Sequence, residues 1–355
     1  MEFLDKVNFA FVGEAEIGLR VLLNNLQNNG NLKEIPGLVW RNKNKIMVNP
    51  QIFVKDLDSL GFPSWELIKP NEYPQSPHGG FSKNFPIAPI IITRVCPFQC
   101  TFCAGHSVSG RNIRSRTPKN VIDEIKLLYN EYGIREIHIE DDNFTLNKNL
   151  VREFCNLIIE KELDISWCCP NGVRLDTLDE EILKLMKKAG CYSLAVGIES
   201  GSDKVLKHMK KNLTVNQIKD KVELINKVGI EIIGFFILGY PSETEDDINK
   251  TIEFAKKLPL TRAQFNIFIP LPGSEIYNKL KEEGKLNNIN WDKFFVTKVA
   301  YSENLGEEKL KKLQREAFLK FYLRPKILIG MLKEIKSLKQ LKHLFFRINA
   351  YLISK

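Results

Sequence analysis

An α/β fold is predicted, and three observations predict it. Six short apolar strands recur after residue 90. An amphipathic helix follows each of the first five. Helix caps of Thr, Asn, Asp or Ser and terminal glycines punctuate the repeat. Strands alternating with helices imply a parallel sheet joined by right-handed crossovers. The repeat fits an open or partial (β/α)6 barrel, with a doubly wound sheet as the alternative. In either arrangement ligands sit at the C-terminal ends of the strands.

The elements follow in order. Residues 1–65 read as a small α/β region. "VNFAFVGEAE" is a strand running into a turn, and "AEIGLRVLLNNLQNN" places Ile17, Val21, Leu22 and Leu26 at helical spacing. "GLVWRNKNKIMVN" is a β-hairpin turning at "NKNK". A linker rich in Pro, Gly and polar residues covers 66–88. The barrel itself spans 89–300. Its strands are "IIITRV" (90–95), "REIHIE" (135–140), "DISWCC" (164–169), "YSLAVGI" (192–198), "EIIGFFIL" (231–238) and "AQFNIFI" (263–269). The helices between them begin at "TPKNV", "NKNLV", "LDEEI", "TVNQI" and "TEDDI". Residues 301–355 form a helical C-terminal extension.

Composition bounds the class. The chain has 355 residues, 43% hydrophobic and 27% charged, as in a folded soluble protein. No apolar run of about 18 residues exists to span a bilayer. "MEFLDKVNF" lacks the apolar core of a signal peptide. The seven cysteines are odd in number and clustered, unlike a secreted disulfide framework. A cytoplasmic protein is expected. The net charge of +9 is partly local: Lys320 to Lys355 holds nine Lys or Arg and one acid, Glu334. Leu338, Leu341, Phe345, Ile348 and Leu352 fall on one helical face there. Two readings stand for this tail, packing on the barrel flank or peripheral contact with a membrane. Nucleic acid is not indicated.

The chemistry falls after the first strand. "RVCPFQCTFCAGH" places Cys96, Cys100 and Cys103 in a C-x3-C-x2-C spacing. Three thiolates around one centre suit an iron–sulfur cube with one iron left open. A tetrahedral zinc site completed by His106 is the other reading. Of the remaining cysteines, Cys155 and Cys191 read as packing residues. Cys168 and Cys169 lie near a strand end, where they read as buried residues or, for one of them, as a hydrogen-atom donor pointing into the barrel.

The motif, its place after the first strand and the six β/α units resemble the radical S-adenosylmethionine (radical SAM) enzymes, over about residues 88–300. The resemblance implies that Cys96, Cys100 and Cys103 hold a 4Fe–4S cluster. Its open iron would chelate S-adenosylmethionine (SAM), and one electron would release a 5′-deoxyadenosyl radical. It implies SAM contacts as well. Phe102 would lie beside the adenine. Asp141 and Asp142 in "IEDDNFT" would meet the methionine ammonium. Arg174 in "NGVRLD" would meet the carboxylate. Glu199 and Ser200 in "GIESGS" would contact the ribose and methionine portion. Gly239 and Pro241 in "LGYPSET" would shape the adenine side. "PLPGSEIY", after the sixth strand, matches a pattern of a subgroup.

"GEAE", "IPGLVWR", "FPSWELI", "CPFQCTFC", "EDDNFT" and "GIESGS" together are similar to the cobalamin-binding branch of that family. The D-x-H-x-x-G loop that ligates cobalamin is absent, since none of His78, His106, His138, His208 or His343 lies in it. Residues 1–65 are too few for a five-stranded nucleotide-type fold. Cobalamin is therefore not expected in this chain, unless a separate chain supplies it. The resemblance implies an electron donor such as flavodoxin or ferredoxin, and a small-molecule or lipid-like substrate undergoing methyl transfer, cyclisation or related chemistry. A methylthiotransferase acting on RNA or protein, and a metal-binding protein without catalysis, are the rival readings.

Overall fold

The computed structural model describes residues 7–28, 30–73, 82–287 and 289–334. The first region is a three-stranded antiparallel sheet with one helix. Strand β1 (Phe9–Phe11) leads into helix α1 (Glu16–Gln27), and the hairpin β2 (Leu38–Asn42) and β3 (Lys45–Val48) follows. The expected "NKNK" turn is present: Asn42 pairs with Lys45, and Lys43 takes a φ of 53° between them. Leu22, Ile35, Leu38 and Trp40 form a small core of their own beneath α1.

Next come β4 (Ile87–Ile90), the short strand β5 (Thr93–Arg94), helix α2 (Gly105–Ser109) and β6 (Arg114–Ser115). The repeat then runs through α3 (Pro118–Glu131), β7 (Glu136–Ile139), α4 (Lys148–Glu160), β8 (Ser166–Val173), α5 (Glu180–Lys188) and β9 (Cys191–Glu199). It continues with α6 (Asp203–His208), α7 (Val215–Val228), β10 (Glu231–Leu238), α8 (Glu245–Lys257), β11 (Arg262–Ile267) and α9 (Glu275–Glu282). Helices α10 (Glu307–Tyr322) and α11 (Pro325–Glu334) complete the described chain.

Six strands form one parallel sheet in the order β11-β10-β9-β8-β7-β4. Each new strand is laid beside the previous one, without the reversal of order that defines a doubly wound sheet. The result is the open, partial barrel, and the doubly wound alternative falls. Helix starts match the expected caps. Thr117 accepts from the Asn120 amide with Pro118 in the first turn, and Thr214 and Thr244 form capping boxes with Gln217 and Asp247. The helix layer packs on the outward face of the sheet. There Phe144, Phe154 and Trp167 meet edge to face at 5.5–5.9 Å between ring centroids.

The first strand departs from expectation. It occupies Ile87–Ile90, not 90–95, and the chain breaks before Thr93, where β5 pairs antiparallel with β6. Two features cause this. Pro89 is tolerated because β4 is an edge strand, bonded among the described residues to β7 alone. Beyond Ile90 the backbone amides of Ile92 and Thr93 turn to the Asp141 carboxylate, at 2.7 and 2.8 Å. A β-branched run alone carries no sign of such a side-chain competitor.

Helix α10 packs on the barrel flank, burying Leu310, Leu313, Ala317 and Phe321, with Phe321 against Phe265 at 6.1 Å. Helix α11 buries Ile327 and exposes Leu328, Ile329 and Leu332. The proposed amphipathic face from Leu338 to Leu352 lies outside the described residues. Among the described residues no helix is long and apolar enough to cross a membrane.

Candidate active site

The cysteine loop starts where β4 ends and is held by the neighbouring strand ends. The Asp141 carboxylate accepts from the amides of Ile92 and Thr93 and from the Thr93 hydroxyl at 2.7 Å. Burial pushes its pKa up to about 7 against these three bonds. Asp142 is exposed and accepts from the Val95 amide at 3.1 Å. Val95 itself takes a φ of 88°, which directs the chain into the loop.

Thr101, between the second and third cysteines, fastens the far side. Its amide donates to the Met209 carbonyl at 3.1 Å, its carbonyl accepts from the Ile276 amide at 3.0 Å, and its hydroxyl lies 2.7 Å from the Tyr240 hydroxyl. The loop is thus tied to segments following β7, β9, β10 and β11. Phe102 is half-buried and packs on the apolar cluster of Val205, Met209, Tyr240 and Phe268.

The three thiols are free and half-buried. Burial pushes Cys96 and Cys100 above the ordinary thiol pKa. For Cys100 the opposing influences are the charges of Lys211 and Arg174. The Arg174 guanidinium donates from Nη1 to Cys100 Sγ at 3.5 Å and stacks on the Phe98 ring at 3.6 Å. Asp176 and the Lys211 carbonyl hold its other nitrogens, at 2.7–2.9 Å. A cation fixed beside a thiol favours the thiolate, the form that ligates metal. Among the described residues, a set of three ligand atoms mutually within 4.8 Å is made by Glu136, His138 and Cys168.

At the end of β9, Glu199 takes a φ of 66° and pairs with Lys211 at 2.8 Å, both buried. A Cβ on Gly197 would lie 2.3 Å from Glu199 Oε1, so a larger residue there would push the pair out of this position. Ser200 is fully buried, with its hydroxyl 3.1 Å from that of Thr251 and accepting from the Ser202 amide. Gly239, at φ +81°, donates its amide to Glu243 Oε2 at 2.6 Å, and a Cβ there would strike Leu310.

Of the residues the sequence singled out, Cys96, Cys100, Cys103, Phe102 and Arg174 gather at one strand-end loop, and Glu199 reaches it through Lys211. The Asp141 and Ser200 side chains are engaged within the protein. Cys155 and Cys191 are buried in the core, as expected of packing residues, and Cys169 lies with them. Lys211, Thr101 and Tyr240 escaped the sequence reading. Thr101 had a detectable signal, its place between two of the clustered cysteines, whereas Lys211 and Tyr240 are distant in sequence.

The N-terminal region meets this end of the barrel. Glu14 of "GEAE" accepts from both terminal nitrogens of Arg114 at 2.7 Å and pairs with Arg94 at 3.1 Å. Burial raises the Glu14 pKa, but Arg114 and Arg94 outweigh it and hold the carboxyl below its ordinary range. A cleft of about 490 Å³ opens alongside, lined by Gly13, Glu14, Glu16, Arg94, Glu140 and Asp142 among others.

Comparisons with known proteins agree with this arrangement. Residues 90–255 match the family described as the Radical SAM superfamily. An uncharacterized methyltransferase of Pyrococcus horikoshii is 34% identical over 319 residues, covering 89% of this chain and 68% of the relative. The cytidylyl-2-hydroxyethylphosphonate methyltransferase of Streptomyces wedmorensis is 29% identical over 308 residues, covering 77% of this chain and 57% of the relative. Among solved structures, the cobalamin-dependent SAM radical enzyme OxsB, with aqua-cobalamin and SAM bound, superposes with a TM-score of 0.70 at 15% identity. That match covers 96% of this chain and 54% of OxsB, and at such identity it speaks for the fold alone. With the cysteine loop at the strand ends of an open parallel barrel, the chain belongs to the radical SAM superfamily and is an enzyme of that kind.

Proposed function

We propose that this enzyme cleaves SAM reductively at the Cys96–Cys100–Cys103 loop and abstracts hydrogen from a small organic substrate held in the barrel. The observation that carries the reading is the loop itself: three half-buried thiols on one strand-end segment, with the Arg174 guanidinium donating to Cys100. The donor set fits a 4Fe–4S cluster bound by Cys96, Cys100 and Cys103 with one iron open. With that cluster and SAM bound, the chemistry supplied is one-electron cleavage of the sulfonium to a 5′-deoxyadenosyl radical, which takes a hydrogen atom from the substrate to give 5′-deoxyadenosine.

The chain's own residues prepare the site. Arg174 places fixed positive charge beside Cys100 and toward the methionine carboxylate. Asp142, exposed next to the loop, is the carboxylate available to the methionine ammonium, while Asp141 acts by holding the loop backbone. Phe102 offers an apolar surface to the adenine. Gly239, in the turn held by Glu243, shapes the adenine side. Glu199, balanced by Lys211, and Ser200, held by Thr251 and the Ser202 amide, lie toward the ribose and methionine portion. The electron comes from a small carrier protein such as flavodoxin or ferredoxin.

Anaerobic reconstitution with iron and sulfide, followed by dithionite and SAM, tests the reading. The intact chain should yield 5′-deoxyadenosine, and a Cys100→Ala variant should not. Equal yields from both would overturn it.

A methyl group as the transferred unit is a second reading, supported by the names of the relatives above. The chain spans little more than half the length of the second of these, so reaction and substrate remain proposals. The sequence carries no D-x-H-x-x-G loop for cobalamin. Methyl transfer predicts S-adenosylhomocysteine beside 5′-deoxyadenosine in turnover mixtures.

A further inference from the structure

The inward face of the sheet carries a second group of metal-type ligands, away from the cysteine loop. Strands β7 and β8 are parallel neighbours in which Glu136 pairs with Ser166 and His138 with Cys168. Residues two apart on a strand share a face. Ile137, Ile139, Trp167 and Cys169 belong to the core beneath the helices. Glu136, His138 and Cys168 therefore project from the other face, into the barrel. One ligand atom from each lies within 4.8 Å of the other two, and His138 Nε2 is 2.9 Å from Glu136 Oε1. Glu136 and Cys168 are 0% and 5% exposed, and the His138 side chain 14%.

The carboxylate is oriented by a shell of its own. The Tyr192 hydroxyl donates to Oε1 at 2.7 Å. The Asn84 amide and the Ser166 hydroxyl donate to Oε2 at 2.6 and 3.2 Å. Such outer partners fix the geometry and basicity of a metal ligand. Strand pairing fixes the other two, since His138 and Cys168 are register partners.

We propose that Glu136, His138 and Cys168 form a binding site for a borderline divalent cation, Zn²⁺ by preference, with its fourth coordination position open to the barrel interior. A thiolate, an imidazole and a carboxylate are the donor types that zinc takes. Thiolate and carboxylate together carry the two negative charges that a divalent ion neutralises. Three protein ligands with one open position is the pattern of a zinc ion that receives water or a ligand group, rather than a closed structural site. An oxygen or sulfur of a molecule lodged in the barrel is the group it would take.

This position is distinct from the cysteine loop. Glu136 and Ser166 are the first residues of their strands, whereas the loop follows the C-terminal end of β4. His138 and Cys168 stand two residues further along these strands, and none of the loop thiols belongs to the group. The proposal does not depend on SAM cleavage, so the two readings fail separately.

The test uses the enzyme with its iron–sulfur cluster reconstituted, so that the loop thiols are occupied, and titrates it with Co²⁺ and, in competition with a chromophoric chelator, with Zn²⁺. One equivalent should bind, with a thiolate-to-cobalt charge-transfer band in the near ultraviolet. Cys168→Ser should remove that band, and Cys168→Ser and His138→Gln should each weaken binding at least ~10-fold. Both should leave the iron–sulfur absorption and the circular dichroism unchanged. Cys155→Ala should bind as the unaltered chain does. No Co²⁺ bound by the unaltered enzyme, or a charge-transfer band that persists in Cys168→Ser, would overturn the site. Should the serine variant fail to fold, the unaltered enzyme's band and the His138→Gln titration decide the matter.

Discussion

The Lys211 ammonium lies 2.8 Å from Glu199 Oε1, and the two residues are only 4% and 7% exposed. A buried pair of this kind is costly to break, because the survivor keeps its charge without a partner. Lys211→Met should destabilise the chain by about 3–5 kcal/mol. Glu199→Gln together with Lys211→Met should restore much of that loss, since no lone charge then remains. Denaturant unfolding of the cluster-free protein measures both, and equal losses in the single and double variants would refute the pairing. The Lys211 charge also pulls the Cys100 thiol down against burial. Lys211→Met alone should therefore take up cluster more slowly, and the double variant, which also removes the opposing Glu199 charge, should recover part of that rate.

The cysteines separate by position. Cys96→Ala, Cys100→Ala and Cys103→Ala should each abolish the charge-transfer absorption of the reconstituted cluster. Cys155→Ala should retain it, because Cys155 is buried in the core with its thiol pushed up to about 12 by desolvation. Iron content and visible absorption after anaerobic reconstitution check this. A cluster retained in Cys103→Ala would remove that residue from the ligand set.

The docking of the N-terminal region rests on Glu14, which accepts two 2.7 Å bonds from Arg114 across 100 residues of sequence. Bidentate pairing of this geometry needs a planar fork, which lysine lacks. Arg114→Lys should loosen residues 7–60 from the barrel and raise their susceptibility to limited proteolysis, while the barrel fragment stays intact. Unchanged cleavage kinetics would show that the contact contributes little to docking.

The barrel was legible because its signals are local and periodic. Val121, Ile122, Ile125 and Leu128 mark the buried face of α3, and Thr117 before Pro118 marks its start. The cysteine spacing was legible because all three cysteines fall within eight residues. The end of the first strand was not, since the Asp141 carboxylate that stops it lies 48 residues from Thr93. Lys211 was hidden for the same reason: it meets Cys100 and Glu199 only through folding. The inward-facing group of Glu136, His138 and Cys168 depends on strand register, which the pattern of apolar residues does not reveal. Asp141 and Ser200 show what folding adds, since the Asp141 carboxylate holds the amides of Ile92 and Thr93 and the Ser200 hydroxyl meets Thr251 and the Ser202 amide. A polar residue at a strand end invites a ligand-binding reading, but backbone amides and neighbouring hydroxyls compete for the same oxygens.

Glu243 provides a test in pH. Its Oε2 accepts from the amides of Gly239 and Tyr240 at 2.6 and 3.2 Å, while buried Oε1 has no hydrogen-bond partner among the described residues. Burial pushes the carboxyl up to about 8, and the two amides do not offset it. The proton thus belongs on Oε1, and the turn at Gly239 is built around a neutral acid. Between the ordinary carboxyl pKa of 4.5 and about 8, the folded chain holds a proton that the unfolded chain has released. Stability should then be greatest below that range and fall as pH rises through it, by on the order of a few kcal/mol. Glu243→Gln mimics the neutral acid and has no charge to bury. Cluster-free unaltered chain and variant should unfold at similar denaturant concentrations at pH 5, and the variant should be the more stable at pH 8. A difference between them that is the same at both values would show that Glu243 is ionised throughout.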